Sequence, residues 1–139
     1  MTNQTKMDTL STRRFAKCPS TIASGDPVLL GTIAAVALDS YDSILGGTTF
    51  CTDGSYALAV TAASTQSPVS GLAIAPNAEL YATGSYDATT GVTHGLTIDL
   101  TRGGTPFGNA EVEAAVTAGT TSTISVRLKV GGSPGPYAA

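Results

Sequence analysis

The chain has 139 residues, a length that suits one domain with a single sizeable core and is too short for two ordinary domains. Only 12% of the residues are charged and 6% are aromatic, while threonine, serine, alanine and glycine are abundant, a composition that favours strands and turns over helices. The net charge is −3, and the chain has neither an apolar run of about 18 residues nor a secretory signal, so we expect a soluble protein, made in the cytoplasm, that does not bind or span a membrane.

The first 24 residues are expected to form an extended basic arm. Residues 1–17 carry four basic side chains and one acidic side chain, a net charge of +3, whereas the rest of the chain carries −6. The segment lacks hydrophobic periodicity and ends before the turn signal at residues 25–27. The arm is therefore expected to contribute contacts without contributing to the core.

Two interpretations of this arm remain open, a solvated tail and a segment that binds an acidic neighbour. In the second interpretation, the expected contacts are Arg13, Arg14, Phe15 and Lys17. Nucleic acid is a poor candidate partner, because a few basic residues on an acidic protein give a weak electrostatic footprint.

Short strand-like stretches follow between turn signals in residues 25–130, the predicted β domain. They are residues 28–38, the alternating Tyr56, Leu58 and Val60, residues 72–75, residues 80–83, and the alternating Leu96, Ile98 and Leu100.

A C-terminal hairpin completes this domain. Apolar residues alternate with polar ones over residues 110–116 and again over residues 124–130, and Ala-Gly-Thr-Thr between them can reverse the chain. A helix over residues 109–118 is the alternative, but the apolar positions fit a period of 2 better than a period of 3.6. In the second strand, Val126 should point into the core and Arg127 into solvent.

Seven or eight strands of this length and spacing predict an all-β fold, a small single-domain β-sandwich or barrel. The last stretch, GGSPGPYAA at residues 131–139, cannot continue a β-ladder and is expected to be a flexible tail.

No residue pattern predicts catalysis, a cofactor or a metal site, so we do not expect an enzyme. His94 is the single histidine, and without a nucleophile elbow it is interpreted as a loop residue. Cys18 and Cys51 lack the close spacing of a zinc site and are expected to be free thiols. The remaining candidates for a calcium or glycosidase site lack the required spacing and are interpreted as turn residues: Asp39, Asp42 and Asp53.

Four stretches resemble one family when taken in order. They are GDPVLLGTIAAVAL (residues 25–38), TFCTDGSYALAVTAA (49–63), IAPNAELYAT (74–83) and GGTPFGNAEVEAAVTAGTTSTISVRL (103–128). Together they resemble small phage virion proteins of formerly unknown function that are regarded as capsid decoration, or cement, proteins. The present sequence departs from that family by its longer basic N-terminal segment and by the polar stretch at residues 85–95.

The resemblance implies a structural protein on the outer surface of a phage head, where it binds the major capsid protein and stabilises contacts between capsid subunits. A homotrimer at three-fold or quasi-three-fold positions is the oligomer expected by analogy. The alternative function is a sugar-binding or adhesive module of the virion or tail fibre, with candidate aromatic contacts at Tyr41, Tyr56, Tyr81 and Tyr86.

Overall fold

A computed structural model describes residues 13–64 and 72–129, which form strands, turns and loops without a helix. The predicted all-β class is confirmed, with nine strands in place of the seven or eight expected. The strands are β1 (Arg13–Lys17), β2 (Pro27–Leu30), β3 (Ile33–Ala37), β4 (Gly47–Cys51), β5 (Ser55–Thr61), β6 (Glu79–Asp87), β7 (Val92–Asp99), β8 (Thr105–Ala110) and β9 (Thr121–Leu128).

All nine strands belong to one antiparallel sheet with the order β1-β4-β3-β2-β7-β6-β8-β9-β5. The sheet curls on itself, so that β5 contacts β7 and β3 contacts β8. Beyond the ends of β5 and β7, Leu100 N donates a hydrogen bond to Ala63 O at 2.9 Å. The end of β5 is thereby fastened against the end of β7, while β1 remains at the other end of the sheet.

The larger of two hydrophobic clusters draws its side chains from seven strands, β2, β3 and β5 to β9. In β9, Val126 and Leu128 are buried, Ile124 is half-buried, and Arg127 between them is exposed. The period-2 register predicted for this strand is confirmed. The large buried side chains at the centre of the cluster include Phe107, Ile74, Leu80 and Ile98.

The smaller cluster lies between β1 to β4 and the start of β7, and it includes residues from the predicted arm. Cys18 and Ile22 are each 4% exposed and belong to this cluster together with Phe50. The Ile22 carbonyl also accepts a hydrogen bond from Tyr41 N at 3.0 Å. The structure thus places residues 13–24 within the β domain, because β1 pairs with β4 and apolar side chains beyond it are removed from water.

Residues 28–38, predicted as one strand, form the hairpin of β2 and β3. Leu30 pairs with Ile33 across a two-residue turn that begins at Gly31, whose φ is +69°. This left-handed backbone suits glycine, which has no Cβ to clash. The apolar residues on both sides of the turn masked it in the sequence.

The strand predicted over residues 110–116 is wrong, and so is the alternative helix. β8 ends at Ala110, which pairs with Val126, and residues 111–120 are irregular apart from a single bridge between Val116 and Ile74. Val112 and Val116 pack individually against the larger cluster. Their alternation therefore reflects separate contacts of a loop with the core.

Other differences concern strands whose sequences are short or polar. Residues 72–75, predicted as a strand, contribute only the bridge at Ile74, whereas β4 was not predicted. The polar stretch at residues 85–95 forms the tip of the hairpin of β6 and β7. The predicted C-terminal tail at residues 131–139 and the first half of the arm, residues 1–12, lie outside the described residues. The part of the chain that is described contains no helix that could span a membrane.

Candidate docking surface

The four residues predicted as capsid contacts, Arg13, Arg14, Phe15 and Lys17, all lie on β1 at the edge of the sheet. Among the nine described strands, β1 pairs only with β4, in a register that places Phe15 opposite Thr49. The structure therefore brings the four predicted residues together on one strand that, among the described residues, has a neighbouring strand on one side only.

The backbone of β1 alternates between inward and outward hydrogen-bonding groups. Cys18 N donates a hydrogen bond to Gly46 O at 3.3 Å. Because hydrogen-bonded pairs alternate along an antiparallel ladder, the backbone groups of Arg14 and Ala16 also bond to β4. The hydrogen bond that Thr49 O accepts from Leu38 N at 2.9 Å agrees with this assignment, because Thr49, opposite Phe15, turns its backbone groups towards β3 and away from β1. The N–H and C=O groups of Arg13, Phe15 and Lys17 consequently face the open edge.

The side chains of β1 bring three cations and one aromatic ring to the edge of the sheet, with Arg13, Phe15 and Lys17 on one face and Arg14 on the other. Arg13, Arg14 and Lys17 are exposed, and the Phe15 residue is 47% exposed. Within residues 13–64 and 72–129, no carboxylate lies within ion-pair distance of these three cations. The strand thus combines three positive charges with one aromatic ring on a protein whose net charge is −3.

A rigid apolar tip, Ile44 and Leu45, lies in the loop that leads into β4. Ile44 is 91% exposed and Leu45 is 59% exposed. The Asp42 carboxylate accepts hydrogen bonds from Ile44 N at 2.8 Å and from Leu45 N at 3.2 Å, while Asp42 O accepts one from Gly46 N at 2.8 Å. Because the backbone is fixed before any partner arrives, presenting these two side chains to another surface costs little ordering entropy.

The tip was not predicted as a functional feature. Its signal in the sequence is Ile-Leu between an aspartate and the pair Gly46-Gly47, a turn in which apolar side chains have no neighbours to cover them. The tip lies at the Lys17 end of β1, because Lys17 pairs with Gly47 at the start of β4. The tip and β1 therefore adjoin at one corner of the sheet.

The four tyrosines proposed as sugar contacts do not form one exposed set. Tyr41 packs against the smaller cluster and Tyr56 against the larger one. Tyr81 is half-buried and donates a hydrogen bond to the Glu79 carboxylate at 2.9 Å. Only Tyr86, with 66% exposure, is a freely presented ring among them.

Tyr86 borders a groove of about 240 Å³ between the β6–β7 hairpin and the turns at residues 31 and 103–104. Its other lining groups include Thr83, Thr93 and Thr105. A second groove of about 420 Å³ is lined by Glu79, Tyr81 and Arg102 together with apolar side chains. The first groove combines an exposed ring with hydroxyl groups, which is the chemistry that sugar recognition uses.

His94 and Asp87 both lie in the hairpin of β6 and β7. His94, interpreted from the sequence as a loop residue, lies in β7 opposite Ser85. The hydrogen bond from Thr90 Oγ1 at 2.6 Å lowers the pKa of Asp87 in the adjoining hairpin. The described residues contain no group of three or more His, Cys, Asp or Glu side chains that could hold a metal ion.

The two cysteines are free thiols in different environments. Cys18 is buried, which raises the pKa of its thiol above the ordinary 9.0. Cys51 is half-buried, and its Sγ donates to Asp53 O at 3.3 Å. Asp53 also accepts a hydrogen bond from Gly54 N at 2.7 Å, which agrees with its interpretation as a turn residue.

Comparison of the chain with protein-family models, with curated proteins and with solved structures found no match in any of the three.

Proposed function

We propose that this protein is a capsid decoration protein that binds the outer surface of an assembled phage head and stabilises contacts between major capsid subunits. The observation that carries the proposal is the exposed, cationic strand β1 at the open edge of the sheet, beside the rigid tip of Ile44 and Leu45. The partner, the major capsid protein, is inferred from the resemblance of residues 25–128 to small phage virion proteins.

The physical properties of this surface suit a protein that attaches to a finished shell. Arg13, Arg14 and Lys17 attract an acidic surface over a distance of about 8–10 Å at ordinary ionic strength. Phe15 and Ile44 then supply apolar area whose burial favours the bound state. The curled sheet, in which Leu100 N donates a hydrogen bond to Ala63 O, carries these contacts on a hydrogen-bonded body.

A homotrimer at three-fold positions of the shell completes the proposal. Closed symmetry lets three copies of one weak surface act together, and the resulting avidity exceeds the affinity of a single site. The protein would be made in the host cytoplasm and would function on the outside of the virion.

The proposal is tested by mixing purified protein with undecorated phage shells and measuring bound copies after sedimentation. The triple variant Arg13→Ala, Arg14→Ala, Lys17→Ala should lose most of its occupancy, whereas Arg127→Ala, an exposed cation on β9, should bind like the unchanged protein. Mass spectrometry of virions should find hundreds of copies per particle. A handful of copies, or triple-variant binding equal to that of the Arg127 control, would contradict decoration through β1.

A sugar-binding module is the second candidate function, because Tyr86 presents an exposed ring beside the groove that Thr83 and Thr93 also line. A glycan array distinguishes it from decoration. Retention of a defined glycan by the unchanged protein, together with its loss in Tyr86→Ala and not in Tyr81→Phe, would support this second function. Absence of any retained glycan would remove it.

A further inference from the structure

Within residues 13–64 and 72–129, the outer edge of β1 offers a regular row of backbone groups that no other strand uses. β1 is the terminal strand of the sheet, and the N–H and C=O groups of Arg13, Phe15 and Lys17 point away from β4. Unpaired edges of this kind are templates for an additional strand. The register of β1 with β4 therefore also determines which residues an added strand would bond.

The same three residues share one face of the sheet, because side chains alternate along a strand. A strand added to this edge would place its own side chains opposite Arg13, Phe15 and Lys17 on that face. Opposite charges favour such cross-strand pairs, and aromatic rings favour apolar or β-branched partners. The complementary sequence is therefore acidic, any residue, apolar, any residue, acidic.

A second copy of this strand is a poor occupant. Antiparallel pairing of two β1 strands centred on Phe15 would set Arg13 of each copy directly opposite Lys17 of the other. Like charges in direct opposition destabilise a β-ladder. Cations on an edge strand are a known protection against self-association, yet they leave an acidic strand free to bind.

We propose that β1 is a strand-addition site for an extended acidic segment of a partner protein, with the sequence pattern acidic-x-apolar-x-acidic. The proposal deepens the decoration function and rests on it for the identity of the partner, which would be a surface segment of the shell. The rigid tip of Ile44 and Leu45, next to the Lys17 end of β1, lies where it can contact the same partner beyond the added strand.

Backbone hydrogen bonding is tested at single-residue resolution by amide exchange with the peptide Ser-Glu-Thr-Val-Thr-Glu-Ser, blocked at both ends. Without peptide, the amides of Arg14 and Ala16 should exchange slowly, and those of Arg13, Phe15 and Lys17 rapidly. At a peptide concentration of about ten times its Kd, the three outward amides should slow about tenfold by mass action. The same peptide with lysine in place of glutamate should leave them unchanged.

Two matched pairs of variants separate the backbone from the side chains. Phe15→Pro removes an outward N–H that the β1–β4 ladder does not use, so it should bind the acidic peptide about tenfold more weakly than Phe15→Ala, which keeps that N–H. Retained protection of the Arg14 and Ala16 amides shows that β1 is intact in both variants. Arg13→Ala should weaken binding more than Arg14→Ala, because Arg14 lies on the opposite face of the strand.

The outcomes distinguish the docking mode from decoration itself. If shells bind the protein while the outward amides stay unprotected, or if Phe15→Pro and Phe15→Ala bind shells equally, strand addition is overturned and decoration stands. If the acidic peptide protects those amides while shells bind no protein, decoration fails and the strand-addition site stands. Self-association of the protein that Phe15→Pro abolishes would assign the edge to a second copy and overturn the acidic partner.

Discussion

Val126 is a single side chain whose substitution tests the register of β9. It is fully buried in β9, between its paired residues Tyr56 on β5 and Ala110 on β8. Val126→Asp would bury a carboxylate without a cationic partner, so we expect a loss of several kcal/mol, about half or more of a small domain's free energy of unfolding. Urea unfolding followed by circular dichroism measures this loss.

The matched control for this substitution is Arg127→Ser, one residue further along β9. Its side chain is exposed, and surface changes of this kind alter stability by no more than about 0.5 kcal/mol. A comparable destabilisation by both substitutions would contradict the alternating burial on which the register of β9 rests.

Tyr56 predicts how stability depends on alkaline pH. Burial, reinforced by the nearby Cys51 thiol and Asp53, raises the pKa of its hydroxyl from 10.0 to about 12. The unfolded chain therefore releases this proton at lower pH than the folded protein, so the stabilisation is complete below pH 10.0 and declines as the pH approaches about 12. Urea unfolding across this range should show that Tyr56→Phe reduces the decline, and an unchanged decline in this variant would contradict the assignment to Tyr56.

At the scale of elements, β1 depends on the absence of a side chain at Gly47. A Cβ built there would collide with the carbonyl oxygen of Ala16 and lie 2.7 Å from Lys17 Cα. Gly47→Ala should therefore force β1 away from β4 and destabilise the protein by about 1–3 kcal/mol, the usual cost of overpacking. Amide exchange should show lost protection of Ala16 and Cys18. Ser43→Ala, in the exposed loop before β4, is the control that should leave both amides protected.

The segment from Arg13 to Ser24 should be required for the stability of the domain. Deleting residues 1–24 removes β1 and also Ile22, a side chain whose burial alone contributes about 1.5–3 kcal/mol. We expect a clearly lower melting temperature, and Ile22→Ala should reproduce part of the loss while the exposed Thr21→Ala should not. A deletion variant with the melting temperature of the full chain would support the prediction from the sequence that residues 1–24 form an arm outside the core.

The elements that could be predicted from the sequence are those in which burial alternates regularly. Apolar residues alternate with small or polar ones in β5 and β9, and a turn signal precedes β5. Both strands were predicted from this pattern, and the structure buries the predicted apolar face of each. β1 could not be found this way because Arg13, Arg14 and Lys17 give an edge strand no apolar face of its own. Its position depends on pairing with β4, a tertiary interaction that local periodicity does not encode.

The position of the candidate docking surface could be predicted only in part. Arg13, Arg14 and Lys17 were singled out by charge and Phe15 was predicted with them, and the structure places all four on one strand. The sequence did not reveal that their outward backbone groups form an open edge, because that property depends on which strand is last in the sheet. The exposure of Ile44 was also not predicted, because it follows from the turn around Asp42.

At the scale of the whole molecule, trimer formation is the assembly prediction. A homotrimer of this 13.9 kDa chain has a mass of roughly 42 kDa, and light scattering coupled to size exclusion measures it directly. Because the proposed shell contacts lie on β1, the triple alanine variant of Arg13, Arg14 and Lys17 should still form the trimer but should no longer bind phage shells. A monomer at micromolar concentration would contradict the closed assembly.

The strand order also has a consequence for the way the protein forms during synthesis. Every buried residue of the smaller cluster lies between Cys18 and Val92, whereas the larger cluster needs Val126 and Leu128, and β5 must wait for β9 before it has a neighbour in the sheet. A ribosome would therefore release most of the chain before the larger cluster can close, and β5 would stay unprotected until the end. Protease digestion of chains stalled beyond Val92 should cut within β5 while sparing the β2–β3 hairpin; equal cutting of both would show that neither part forms early.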